Sequence, residues 1–194
     1  MDLAAMDELE TKQVRAKKMM LWVGMISISM TFAGLTSAYV VSSSRADWLD
    51  KFQIPNAFTI STFLIILSSA TFYSAKKLLI KKKIRKTELL TFFTFVLGLL
   101  FVYFQFKGFG DIINQGYYFT GAESSITTSF LYVLVLLHLA HLFSGLIVLL
   151  VVFYQLQKGS YSGLKTLGFE LAHLYWHFLG ILWIYLYLFV MLYK

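Results

Sequence analysis

The sequence predicts an all-α membrane protein, a five-transmembrane-helix bundle with its N-terminus cytoplasmic and its C-terminus periplasmic. Three observations carry that prediction. Apolar residues fill 58% of the 194 positions and charged residues only 14%, where a soluble domain carries about 25% charge. The charges are also bunched: stretches free of Asp, Glu, Lys and Arg run over 19–44, 52–75, 89–106, 124–157 and 171–193. Each is 18 residues or longer, and about 20 apolar residues of helix cross a hydrocarbon core of roughly 30 Å. Finally, the basic residues segregate between alternate flanks. Thirteen fall in the N-terminal tail, the 76–88 loop and the 155–169 loop, and four (Arg45, Lys51, Lys107, Lys194) on the other side. Short basic loops stay in the cytoplasm, which fixes the expected orientation.

This pattern excludes several classes. The net charge of +7 lies in loops between spans, so it does not mark a nucleic-acid reader. Cysteine is absent, which removes disulfide frameworks and thiol chemistry. Continuous apolar runs are not the short alternating segments of a membrane β-barrel. The expected organisation is a cytoplasmic tail over 1–18 and one membrane domain over 19–194. Its spans lie at about 19–43, 55–75, 88–106, 129–154 and 169–193.

The tail alternates acidic and basic residues and suits a short surface helix. The run behind it is too long for a signal-peptide core, so the first span is expected to be retained. Within that span Gly24, Ser27, Thr31, Gly34 and Ala38 recur every three or four residues and share one helical face. Small side chains let helices approach closely in lipid, so this stripe reads as a helix-packing seam. The second span opens at Pro55-Asn56, since proline fits a helix start. Its Ser61, Ser68, Ser69 and Thr71 can bond back to their own helix. The third span places Thr91, Thr94, Gly98 and Gln105 on one side, with Gln105 near the outer end where its amide meets headgroups or water. The Lys-rich 81–86 stretch reads as a topology anchor, with an anionic-lipid contact as the alternative. The 107–128 connection, with Tyr117 and Tyr118, fits an interfacial belt or a docking loop.

The last two spans carry the intramembrane groups capable of acid–base or metal chemistry. His138, His141 and Gly145 line one stripe; Glu170, His173, His177 and Gly180 line another. Ionisable residues inside membranes are costly and face the protein interior. At about 1.5 Å per residue, His141 and His177 both sit near the midplane and could meet. Three chemistries remain open on spacing: interhelical polar contacts, metal or haem ligation, and proton handling. A bis-His haem b anchor would pair His138 or His141 with His173 or His177.

At these residues the sequence resembles a known family. HLAHLFSGLIVLL (138–150) and ELAHLYWHFLGILWIYLYLFVMLY (170–193) are similar to subunit III of the haem–copper oxidases, the cytochrome c oxidase and quinol oxidase type. The matching positions are His138, His141 and Gly145, then Glu170, Tyr175, Trp176, His177, Phe178 and Trp183. FAGLTSAYVV (32–41), Pro55-Asn56 with Leu67, Ser68 and Ser69, and Gly98, Phe101 and Gln105 resemble the family's other spans in order. The likeness covers about residues 18–193, and five spans match the shorter bacterial form. Three family carboxylates have no counterpart: Ile28, Gly108 and Gly180 stand in their places.

The resemblance implies a non-catalytic subunit that binds no haem or copper itself, those groups belonging to the partner subunit I. It implies packing against subunits I and II, possible association with other respiratory subunits, bound phospholipid, support of proton uptake, and the bacterial inner membrane. His138, His141, Glu170, His173, His177, Trp176 and Trp183 then become a polar and packing network between spans four and five.

Overall fold

The computed structural model describes residues 3–45, 48, 55–119, 125–159, 161 and 166–193. Among them are five helices: α1 (Leu3–Ser42), α2 (Asn56–Ile80), α3 (Ile84–Asn114), α4 (Ile126–Gln157) and α5 (Leu167–Leu192). All five are long and apolar enough to cross a membrane. A bilayer leaves no water for backbone groups, so a spanning segment must satisfy them internally, as a helix does.

The helix ends follow local chemistry. No Gly or Pro occurs before Gly24, so α1 runs without a break from Leu3 through the expected tail into the span. Glu8 and Lys12 add an i,i+4 ion pair at 2.8 Å on that exposed stretch. The α2–α3 turn is short: the N–H of Lys82 donates to Leu79 O and that of Lys83 to Leu78 O. This is a Schellman closure with Lys82 at φ 55°, a left-handed position usually held by glycine. Consequently α3 starts at Ile84, earlier than expected. It also continues past Lys107 and Asp111 to Asn114, where Gly116 at φ 86° closes a second Schellman motif. Lys107 and Asp111 end an apolar run, but neither breaks a helix. At α4, Ser125 and Thr128 form a reciprocal capping box.

Helices α2, α3, α4 and α5 form a ring in which each touches its two neighbours, α2 and α3 being the closest pair. Among the described residues, helix α1 lies outside this ring and packs only on α4 and α5. The centre is filled by Trp176 of α5, which is 1% exposed. Its indole lies against Gly98 of α3 and Gly145 of α4, where any side chain would collide with it or with its neighbours. Large aromatic and small glycine surfaces are thereby matched across three helices.

Candidate functional site

The small-residue face of α1 turns away from the bundle. Gly24, Ser27, Thr31, Gly34 and Ala38 are all exposed, while Met25, Phe32, Thr36 and Tyr39 on the opposite side are buried. A methyl group at Gly24 or Gly34 would meet nothing within 4 Å. So the stripe makes no seam within this chain. The reason is size: Phe32 and Tyr39 fill the groove of α4 and α5, and the stripe lies on the far side of the same helix. The Thr31 hydroxyl is satisfied by Ser27 O at 3.1 Å.

The five ionisable side chains of α4 and α5 fall into separate groups rather than one network. His138 is wholly buried among aromatic rings: Trp183 at 5.2 Å, Phe101 at 6.1 Å and Phe32 at 6.4 Å between centroids. Neither ring nitrogen has a hydrogen-bond partner. His141 donates from Nδ1 to Leu137 O at 2.8 Å, and its ring meets Phe32 edge-on at 5.9 Å. On α5, His173 and His177 bond to each other through Nε2 at 3.0 Å. The His173 ring lies beside Phe72 and Tyr73 of α2. Glu170 sits in the first turn of α5, where a carboxylate suits the helix dipole. It pairs with Lys18 of α1 at 3.1 Å and accepts from the Thr166 hydroxyl at 3.3 Å.

The expected stitching of α4 to α5 by imidazole and carboxylate is therefore corrected. The α4 histidines face α1 and the aromatic core, whereas the α5 stripe faces the side of α2. Matching depth along the membrane does not bring side chains together when their helical faces diverge. Polar ties between α4 and α5 run instead through Tyr175, whose Oη meets Ser144 Oγ at 2.6 Å and His141 O at 3.4 Å.

Other ties escaped a reading based on ionisable residues. Trp176 Nε1 donates to Ser68 Oγ and Trp183 Nε1 to Thr62 Oγ1, each at 3.0 Å. Both tryptophans thus fasten α5 to α2, a sharper role than membership of a polar stripe. Thr59 with Tyr187, and Thr36 with Tyr185, join helices through paired hydroxyls. Gln105 does not reach the headgroups: it is fully buried, and its Nε2 donates to Ser61 Oγ at 2.8 Å. The extension of α3 to Asn114 carries the chain onward, leaving Gln105 well inside the helix. The hydroxyl signal was present in the sequence, since Ser and Thr recur on α2, but their partners are set by which faces meet.

One strip of α5 stays open. Because α1 and α2 do not touch, the side of α5 between them carries half-buried Glu170, His173 and His177, then exposed Ile181. Beside it lies a pocket of about 140 Å³ lined by Ile65, Ile66 and Ser69 of α2 and by His177, Gly180 and Ile184 of α5. Among the described residues, no three His, Asp or Glu side chains converge as a metal site. The strip offers an ion-paired mouth, Lys18 with Glu170, then imidazole groups and an apolar continuation. That chemistry suits an amphiphile's head and chain.

Comparison with known proteins decides the family. The model of "Cytochrome c oxidase subunit III" matches residues 17–194. The chain belongs to this family. It is a subunit III of a haem–copper terminal oxidase, a non-catalytic member of an oxidoreductase complex. Among its relatives, the "Cytochrome bo(3) ubiquinol oxidase subunit 3" of Buchnera aphidicola subsp. Acyrthosiphon pisum is 32% identical over 89% of this chain and 84% of its own length. The "Cytochrome c oxidase subunit 3" of Thermostichus vulcanus is 28% identical over 86% of this chain and 82% of its own. The "Probable cytochrome c oxidase subunit 3" of Rickettsia prowazekii is 32% identical over 73% of this chain but 48% of its own length, so it is the longer protein. A bis-His haem anchor is not favoured: the family assignment speaks against it, and the α4 and α5 histidines face different ways.

Proposed function

We propose that this subunit III packs beside the oxidase's haem- and copper-bearing subunit I and near subunit II in the bacterial inner membrane. There it steadies subunit I and supports proton uptake during oxygen reduction. In this reading the N-terminus is cytoplasmic and the outward stripe Gly24, Ser27, Thr31, Gly34 and Ala38 receives a helix of another subunit. A phospholipid lies over the open strip of α5, its head at Lys18, Glu170 and His173 and one chain beside Ile181.

The observation that supports this best is the unclosed gap between α1 and α2. A polar strip facing lipid is costly unless something covers it, and the pocket beside His177 continues that strip into an apolar wall. The test uses the assembled oxidase carrying Glu170→Gln or His173→Leu. Retained phospholipid, subunit stoichiometry and turnover over many cycles are measured together. Loss of bound lipid with faster inactivation is expected. Unchanged lipid content and turnover in both variants would remove the lipid reading and leave the family assignment standing.

A further inference from the structure

A second amphiphilic recess lies on another face of the bundle, away from the α1–α2 gap. At the end of the ring that holds the α2–α3 turn, α3 and α4 border an open surface recess of about 240 Å³ lined by Arg85, Glu88, Leu89, Phe92 and Phe153. Phe92 and Phe153 form its wall, their centroids 5.9 Å apart. Arg85 and Leu89 are exposed and Glu88 half-buried, so the recess opens outward. Arg85 and Glu88 stand three residues apart on α3, close enough in principle to pair. They do not: the ion pairs among the described residues are Glu8–Lys12 and Lys18–Glu170. One free guanidinium and one free carboxylate therefore border an apolar slot.

We infer that this recess seats a phospholipid whose head carries a primary ammonium beside its phosphodiester, of the phosphatidylethanolamine class. A guanidinium offers a planar fork of donors that matches phosphate oxygens. A carboxylate is acceptor-only and needs a donor opposite it. A primary ammonium supplies three donors, while a trimethylated one supplies none. The chain then runs over Leu89, Phe92 and Phe153. The surrounding charge orients the head. Residues 76–88 hold seven basic side chains and one acid, Glu88. Phosphate is thus drawn to the Arg85 side, where Lys82, Lys83 and Lys86 lie exposed, and the ammonium to the sole carboxylate. A purely anionic lipid would leave Glu88 facing phosphate without a partner. The small turn held by Lys82 matters here, since it brings the basic cluster within one helical turn of the slot.

The test compares the assembled oxidase with its Glu88→Gln and Arg85→Gln variants. Each is placed in nanodiscs of phosphatidylcholine containing phosphatidylethanolamine or phosphatidylglycerol. Lipids retained on detergent release are counted by native mass spectrometry, and subunit stoichiometry is read in the same spectra. Wild type should retain phosphatidylethanolamine over phosphatidylcholine by roughly fivefold, the scale of an interfacial charge pair. Glu88→Gln should abolish that preference, and Arg85→Gln should lower retention of both lipids. Equal retention of the two lipids by wild type overturns the inference, as does preferential retention of phosphatidylglycerol that Glu88→Gln leaves unaltered. Coverage of this face by another subunit, seen as no exchangeable lipid with stoichiometry intact, overturns it too. Glu170 and His173 lie on the other side of the ring, so lipid lost only from their variants separates the two sites.

Discussion

Trp176 reaches across the bundle from α5 to Ser68 of α2, its indole N–H donating to Oγ at 3.0 Å with both residues buried. The same ring presses on Gly98 of α3 and Gly145 of α4. One side chain thereby sets the spacing of four helices. In lipid, where apolar burial gives helices no preference for one another over acyl chains, such contacts decide association.

Gly98→Ala should therefore destabilise the subunit. The new Cβ would lie 2.8 Å from Trp176 Cη2 and 2.9 Å from Leu146 Cδ2, and overpacking of this kind costs about 1–3 kcal/mol. Gly24→Ala and Gly34→Ala meet open space within the chain. Their effect on folding of the chain should be small or slightly favourable, since alanine is the better helix former by about 1 kcal/mol. Thermal unfolding of the detergent-solubilised chain measures all three. Equal losses at Gly98 and Gly34 would contradict the packing described.

His138→Leu should raise stability by about 1–3 kcal/mol. Both ring nitrogens are buried without partners, and removing an unsatisfied polar group recovers its desolvation cost. Leucine also suits the surroundings of Phe32, Phe101 and Trp183. A fall in melting temperature of the full chain would show that the His138 imidazole is hydrogen-bonded rather than unsatisfied.

Lys82→Gly relaxes a left-handed backbone position. The conformation costs a residue with a side chain about 1 kcal/mol, while glycine loses part of that gain through a more flexible unfolded chain. A net stabilisation below about 1 kcal/mol is expected, seen as a small rise in unfolding temperature. Lys82→Ala, which keeps the strain, should show none.

The Lys18–Glu170 pair holds the start of α5 to α1, yet both side chains remain partly solvent-accessible, at 47% and 40%. Exposed pairs contribute about 0–1 kcal/mol and weaken with salt. Lys18→Gln should accordingly leave the melting temperature nearly unchanged while lowering retained lipid at the open strip. A large loss of stability, independent of salt, would show the pair to be shielded.

Much of the architecture was legible in the residues. Five uncharged runs specified five helices because a bilayer admits few other spanning structures. The motifs around His138, Trp176 and Trp183 pointed to the family, and the match over residues 17–194 supports it. Helix ends were read less well. The α1 tail and the α3 extension continue past charges because charge ends an apolar run without ending backbone hydrogen bonding. Only tertiary structure decided which faces meet. Periodicity placed His141 and His177 at one depth and Gly24 through Ala38 on one stripe, but it carries no rotation of one helix against another. That rotation is set by bulky residues meeting small ones, Trp176 on Gly98 and Gly145, and Phe32 between α4 and α5. Such contacts join residues far apart in the chain, so no local pattern records them.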